Sequence, residues 1–346
     1  MKIFLTGGTG FIGRPLTQRL IDRGWEVTAL VRKPDSVESR EIQALGAHLV
    51  QGDITNLESM REVMQGSDVV INNAGWYEIG IRKQDHEKMF KINVEGARNT
   101  LNLAIELGIS RIIHTSSILA FGRTGEIIAD ESYKRQFPPL TCYEETKMKA
   151  HEIATELQKQ GAPIIITCPA GVIGPGDHSG IGYLVRMYVH HSLPPILWTP
   201  NGKLAHVYVD DAAEGIVRCV EYGKIGEVYI LSNGNQTHRE MKEDWKKCEG
   251  GVKKTWFWLP NSIAIILNCI AGPFERLFGL PVVFCKDFIF SAKDNWQFSA
   301  AKAEQELHMQ FRSLEEAWCN TIEGERALFQ KKKQQGNSTS KLPITK

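Results

Sequence analysis

No Cys-x-x-Cys pair and no His-Glu-x-x-His run occurs anywhere in the 346 residues. The seven cysteines, at positions 142, 168, 219, 248, 269, 285 and 319, are scattered without metal-ligand spacing. Such scattering suits free thiols in a reducing compartment better than a disulfide framework, and no metal is expected. Charge of one sign is also missing. With 41 Lys and Arg against 40 Asp and Glu, nothing marks a surface for nucleic acid or anionic lipid. Long hydrophobic runs are absent too. The most apolar stretch, TWFWLPNSIAIILNCIAGPF at 255–274, is interrupted by Pro260, Asn261, Asn268 and Pro273. A membrane span needs about 20 unbroken apolar residues, so stable insertion is not expected. A buried or substrate-covering helix is the first reading of this stretch, a membrane-surface patch the second. Strand-like residues from position 2 leave no room for a signal peptide, and a cytoplasmic location is expected. The final segment, KKKQQGNSTSKLPITK at 331–346, lacks an apolar period and reads as a disordered tail.

What the chain does have, at its start, is glycine. MKIFLTGGTGFIGRPL places Gly7, Gly8, Gly10 and Gly13 after a short apolar run, Ile3-Phe4-Leu5. Leu16, Leu20 and Ile21 then recur at helical spacing up to Gly24. Strand, glycine turn, helix is the layout that offers backbone N–H groups and a helix N-terminus to a phosphate. Gly7, Gly10, Phe11, Ile12 and Gly13 are therefore candidate residues for a dinucleotide's diphosphate. An ordinary tight turn between strand and helix is the plainer alternative.

Downstream, strand-like runs at 26–31, 47–50, 68–71, 111–114 and 163–167 alternate with helical patterns around 37–45, 57–65, 84–107 and 143–160. Alternation of this kind predicts an α/β fold: a Rossmann-type, doubly wound parallel sheet covered on both faces. Ligands of such sheets bind beyond the carboxyl ends of the strands, which directs attention to each strand's last residues. The second strand ends at Arg32-Lys33, where a basic residue suits the 2′-phosphate of NADP and an acidic one would suit NAD. NADP(H) is thus the preferred cofactor, with NAD(H) still open; a solvated arginine is the alternative. At the end of the third strand, Asp53 could accept from an adenine amino group while Ile54 covers the ring. Asp53 could also cap the following helix. Asn73, Ala74 and Gly75 are small enough for backbone to run close against a cofactor. The fifth strand ends in HTSSILAFG, offering Ser116 and Ser117.

In CYEETKMKAHE, Tyr143 and Lys147 stand at i and i+4, on one face of an expected helix. A free phenol titrates near pH 10, too high for acid–base work near neutrality; a neighbouring ammonium favours phenolate. TGGTGFIG, NNAG, Ser117 and YEETK together resemble the extended short-chain dehydrogenase/reductase superfamily, the NAD-dependent epimerase/dehydratase type. HVYVDDAAEGIV (206–217) and FSAAKAEQEL (298–307) extend the resemblance to about residue 330. The flavour is similar to the dihydroflavonol-reductase-like and 3β-hydroxysteroid-dehydrogenase-like groups. The resemblance implies that Tyr143 exchanges a proton with the substrate oxygen and that Ser117 holds that oxygen. It implies that Lys147 tunes the tyrosine and bonds the nicotinamide ribose. Asn93 would maintain a water relay to the lysine, or be an ordinary buried polar residue. Pro169 and Ala170 would contact the carboxamide face of the nicotinamide.

Where sugar-nucleotide enzymes of the superfamily carry an arginine and an asparagine for the diphosphate, this chain has Leu204 and Gly171. Loss of both anchors argues against such a substrate. Trp76, Tyr77, Ile118 and Tyr183 suit a mostly apolar carbonyl or alcohol. For Tyr183, helix packing is the stronger single-residue reading. His178 and Arg186 are minor candidates for an acidic substituent. Residues 1–175, completed by about 205–235, are expected to bind the dinucleotide; 176–204 and 236–330 form a smaller, mostly helical substrate part. The function expected is hydride transfer between NADP(H) and a carbonyl or alcohol. A sugar-nucleotide epimerase or dehydratase with retained cofactor and a non-catalytic NADP sensor remain alternatives. The expected partner is a small molecule, and a homodimer is left open.

Overall fold

A computed structural model of the chain describes residues 1–193, 196–248, 257–260, 262–263, 266 and 292–339. The chain starts with β1 (Lys2–Thr6), whose Ile3, Phe4 and Leu5 are wholly buried, so the strand forms the centre of a sheet. After the glycine turn, α1 (Gly13–Asp22) buries Leu16 and Leu20 against it. Next come β2 (Glu26–Val31), α2 (Val37–Leu45), β3 (His48–Gln51), α3 (Glu58–Met64) and β4 (Val69–Asn72). A helical stretch from Lys83 to Glu106 leads to β5 (Arg111–Thr115), α6 (Cys142–Lys159) and β6 (Ile164–Pro169). Each of these elements lies within one or two residues of the pattern read from the sequence. The exception is 84–107, which divides into a 3₁₀ turn, α4 (His86–Phe90), a π-helical turn (Lys91–Glu95) and α5 (Gly96–Glu106).

Beyond β6 lie β7 (Gly171–Ile173), α7 (Gly180–Val189), β8 (Ile196–Trp198), β9 (Lys203–Tyr208), α8 (Val209–Glu221) and β10 (Val228–Leu231). They are followed by β11 (Gly234–Thr237), α9 (His238–Cys248) and β12 (Phe257–Leu259). Seven strands form one parallel sheet in the order β10-β6-β5-β4-β1-β2-β3. From β1 the chain winds outward to β3, returns to β4 and winds the other way. The reversal leaves a crevice between β1 and β4, the place where a doubly wound sheet binds ligands. Crossovers put helices on both faces, so the strands read as continuous apolar runs.

Beside the seven-stranded sheet lie a three-stranded sheet, β11-β9-β7, and a parallel pair, β12-β8. A second core gathers Tyr188, Trp245 and Trp318, with the two tryptophan rings 5.4 Å apart. Residues 257–259 are strand, which corrects the helix expected there; most of 255–274 lies outside the described residues. The C-terminal helix runs Leu314–Thr339, so the tail expected to be disordered from 331 is helical to residue 339. Lysine and glutamine are good helix formers, and the helix is already nucleated by its packed first half. Residues 340–346 lie outside the description.

Cysteine usage also departs from expectation. Cys248, at the end of α9, is joined to Cys319 of the C-terminal helix, 71 residues away. Cys142, Cys168 and Cys219 are free thiols; Cys269 and Cys285 lie outside the described residues. Among the described residues no three His, Cys, Asp or Glu side chains could hold a metal. No helix among them is long and apolar enough to cross a membrane.

Candidate active site

A cavity of about 800 Å³ opens at the carboxyl ends of the parallel strands. Its floor begins at the glycine turn. Gly7 adopts φ +73°, and a Cβ there would stand 2.7 Å from the Ala74 backbone. A Cβ on Gly13 would lie 1.9 Å from the Gly7 carbonyl oxygen. The turn is thus bare backbone wedged between β4 and α1, a cradle that fits a dinucleotide's diphosphate at a helix N-terminus. Gly7, Gly10, Phe11 and Ile12 line the cavity, whereas Gly13 does not line it and packs the start of α1 on the Gly7-Gly8 backbone.

Beneath the cradle the sheet register aligns Thr6 with Asn72 and Asn72 with His114. These buried side chains bond in series: Thr6 Oγ1 donates to Asn72 Oδ1 at 3.1 Å, and Asn72 Nδ2 meets His114 Nδ1 at 3.1 Å. The Ala74 N–H donates to Thr6 Oγ1, which holds the 73–75 backbone against the groove. Asn73, Ala74 and Gly75 line the cavity, as do Pro169 and Ala170 from β6. Arg32 reaches its rim, exposed and, among the described residues, without a carboxylate partner. The adjacent Lys33 does not line it. Asp53 and Ile54 do, and Asp53 Oδ1 also accepts from the Thr55 N–H and hydroxyl, both at 2.8 Å. Asp53 thus closes a turn at Thr55 and does not cap the following helix as expected, because α3 begins only at Glu58 with Leu57 at its N-cap.

Ser117, after β5, and Tyr143 and Lys147, both on α6, converge on the cavity. Ser117 caps a 3₁₀ turn (Ile118–Ala120), its Oγ accepting from the Leu119 N–H at 3.2 Å. Tyr143 sits in the first turn of α6 and packs edge-on against Tyr77, ring centroids 4.8 Å apart. Burial pushes its phenol above the ordinary value of 10.0. Burial pulls Lys147 the other way, to about 8, and its Nζ donates to the Thr115 carbonyl at 3.0 Å. One turn further along α6, His151 meets Ser116 Oγ at 2.9 Å, and burial lowers it to about 4. The lysine is therefore flanked by a neutral imidazole, not by a competing cation.

Three expected site residues stand elsewhere. Asn93, presented by the π-helical turn, accepts from the Trp76 N–H at 2.7 Å and donates to the Trp76 carbonyl at 2.9 Å. It also donates to Thr146 Oγ1 at 3.0 Å. It clamps a cavity wall to α6 and does not itself line the cavity, which is the arrangement expected of a buried polar residue bonded to backbone. Tyr183 packs into the second core while its neighbours Ile181 and Leu184 face the cavity. Arg186 is engaged by the Asp177 carbonyl and the Glu325 carboxylate, so it is not available to a substrate. Trp76, Tyr77 and Ile118 do line the cavity, as does His178.

Sequence reasoning missed two features. One is most of the far wall, Trp198, Trp296, Met241 and Lys242, which stands with the expected Leu204 and with Trp258 of the 255–274 stretch. The other is Arg135, whose guanidinium pairs with buried Glu144 at 2.7 Å and bonds the carbonyls of Leu119 and Ala120. Glu144 Oε2 accepts from the Leu140 N–H at 2.7 Å. An acidic residue in a helix's first turn ordinarily reads as a dipole complement, which conceals its use as a salt-bridge anchor.

The model of the NAD-dependent epimerase/dehydratase family matches residues 3–232. The chain belongs to that family. Among curated relatives, a Synechocystis protein provisionally named dihydroflavonol 4-reductase is 29% identical over 333 residues, covering 92% of this chain and 93% of its own. A Stigmatella aurantiaca 4-hydroxy-2-methyl-3-oxo-4-farnesyl-3,4-dihydroquinoline-1-oxide ketoreductase is 30% identical, covering 68% of this chain and 69% of its own. The UDP-glucose 4-epimerase of Thermotoga maritima, 20% identical, superposes with a TM-score of 0.75 over 95% of this chain and all of its own (100%). At that identity the family's fold is what the superposition shares.

Proposed function

We propose that this family member is an NADP(H)-dependent oxidoreductase acting on a carbonyl or alcohol of a bulky, mostly apolar small molecule. The observation that carries the reading is the continuity of one cavity from the glycine turn, past Ser117, Tyr143 and Lys147, to a wall rich in tryptophan. In this reading 1–175, with about 205–235, holds the dinucleotide, and 176–204 with 236–330 shapes the substrate side. The nicotinamide, when bound, supplies or accepts the hydride. Tyr143 passes its phenolic proton to the substrate oxygen in reduction and takes it back in oxidation, a contribution of about 10²–10⁴-fold. Lys147, at about 8, stays mostly protonated near neutrality, and in this reading a positive charge near the phenol favours the phenolate left by proton transfer. Ser117 donates to the same oxygen as charge develops there. Arg32 at the rim supports preference for a 2′-phosphate.

Two further observations support an apolar substrate over a nucleotide sugar. Leu204 and Gly171, which offer no anchor to a second diphosphate, both line the cavity. The names of the dihydroflavonol reductase and quinoline-oxide ketoreductase relatives also point to ring-bearing substrates. Apolar contact stabilises by roughly 25 cal/mol per Å² buried, so affinity is expected to grow with ligand size. The test is thermal stabilisation of the NADP⁺ complex by aryl or polycyclic ketones against UDP-sugars at matched concentration. Ketone stabilisation followed by NADPH consumption is expected; a shift with UDP-sugar alone favours the epimerase, and cofactor binding without turnover favours the sensor.

A further inference from the structure

Residues 174–179 (GPGDHS) join β7 to α7. A Cβ on Gly174 would stand 3.3 Å from the tip of the Phe11 ring and 2.6 Å from Val209, so the segment packs against a side chain of the glycine turn. Asp177, His178 and Ser179 then line the same cavity as Gly7 and Gly10. The outer side of this segment is held by the C-terminal helix. Pro175 rests on Gly324, where a Cβ would come 2.2 Å from Pro175 Cγ. The Gly176 N–H donates to Glu325 Oε1 at 2.8 Å, and the same oxygen lies 3.5 Å from Arg186 Nη1. Arg186 also donates to the Asp177 carbonyl. Asp177 in turn accepts from the Ser179 N–H at 2.7 Å and from its hydroxyl at 2.5 Å. Glu325 is only 5% exposed. A carboxylate buried to that extent is costly unless paired and hydrogen-bonded, and its partners here all belong to the segment or to the arginine that holds it.

We propose that Glu325 is a positioning residue for the bound dinucleotide. Through Gly176 and Arg186 it fixes residues 174–179 against the glycine turn and so sets how slowly the cofactor leaves. The inference rests on the dinucleotide reading of the groove. Escape of a diphosphate held between the turn and the segment requires the segment to move aside, and moving it breaks a hydrogen bond to a buried carboxylate. Release steps of this kind limit turnover in many enzymes. A helix more than a hundred residues along the chain from the cradle would thereby determine whether the cofactor exchanges freely or is retained.

The experiment pre-binds NADPH and, in parallel, NADH to the full chain. Excess oxidised cofactor then displaces it while nicotinamide fluorescence is followed. Failure of the wild-type chain to bind either form overturns the dinucleotide reading itself, before any variant is compared. Given binding, Glu325→Ala is expected to release cofactor about tenfold faster, the size expected for a lost hydrogen bond to a charged group. Glu325→Gln keeps an oxygen for Gly176 but loses the charge facing Arg186, and its rate is expected to fall between the two. Unfolding midpoints taken on the same samples separate release from general loosening. A folded Glu325→Ala chain with the wild-type release rate overturns the proposal. If that variant does not fold, Gly324→Ala decides, because alanine is the better helix former but its methyl group displaces Pro175. Faster release from Gly324→Ala supports the proposal, and unchanged release overturns it.

Discussion

Tyr143 and Lys147 share one helix face, yet burial drives them in opposite directions, the phenol up and the ammonium down to about 8. Tyr143→Phe removes the hydroxyl that carries the transferable proton and leaves the ring. It is therefore expected to lower turnover by about 10²–10⁴-fold while leaving cofactor affinity near wild type, measured by steady-state kinetics beside a cofactor titration. Wild-type turnover in Tyr143→Phe would remove the phenol from the mechanism. Arg32 is the second residue with a sharp consequence. Its guanidinium stands at the rim of the cavity and, among the described residues, faces no carboxylate. NADPH is expected to bind more tightly than NADH, and Arg32→Asp to reverse the order by loss of attraction and added repulsion. Equal titration curves for the two cofactors in the native chain would sink the assignment.

At the scale of elements, the relative placement of Ser117 and Tyr143 depends on Arg135. It bonds the carbonyls of Leu119 and Ala120 in the turn that Ser117 caps, and it pairs with Glu144 in the first turn of α6. Glu144 is 2% exposed, so removing its partner leaves a carboxylate stranded away from water. Arg135→Ala is expected to cost about 3–5 kcal/mol of folding stability, and Glu144→Gln less, since the amide keeps some of the bonds. Denaturant unfolding measures both; a loss within the range of an ordinary surface substitution would show that the pair is dispensable. The π-helical turn at Lys91–Glu95 is a second such device, since it presents Asn93 to both backbone groups of Trp76. Inserted turns of this type recur at functional sites because they re-aim one side chain without ending the helix.

On the scale of the whole molecule, burial of neutral histidines links stability to pH. Burial, assisted by the charges of Lys147 and Lys134, lowers His151 to about 4; burial, assisted by His238, lowers His206 to about 3. The unfolded chain binds protons at these groups near 6.5, before the folded chain does. Stability is therefore full above about pH 6.5 and is lost as pH falls toward 4, by roughly 3 kcal/mol for His151. The raised carboxyls of Asp177 and Glu131 act in the opposite sense over part of this range. Comparison of His151→Gln with wild type isolates the histidine: the variant should lose less stability between pH 7 and 4. Equal slopes would mean that His151 titrates normally in the folded chain.

The same scale separates what could be read along the chain from what could not. The sequence by itself determined the parallel sheet, the glycine cradle and the Tyr143–Lys147 pair. Each depends on backbone demands or side-chain periods within a few residues, as at Gly7 or between positions 143 and 147. Only the tertiary structure decided that Asn93 braces Trp76, that Tyr183 faces a core and that Cys248 meets Cys319. It alone brought three tryptophans from separate segments onto one wall and placed Glu325 beneath Gly176, 149 residues away. Those contacts are chosen by how distant elements pack together, and packing depends on the whole set of shapes and volumes, which no local period encodes.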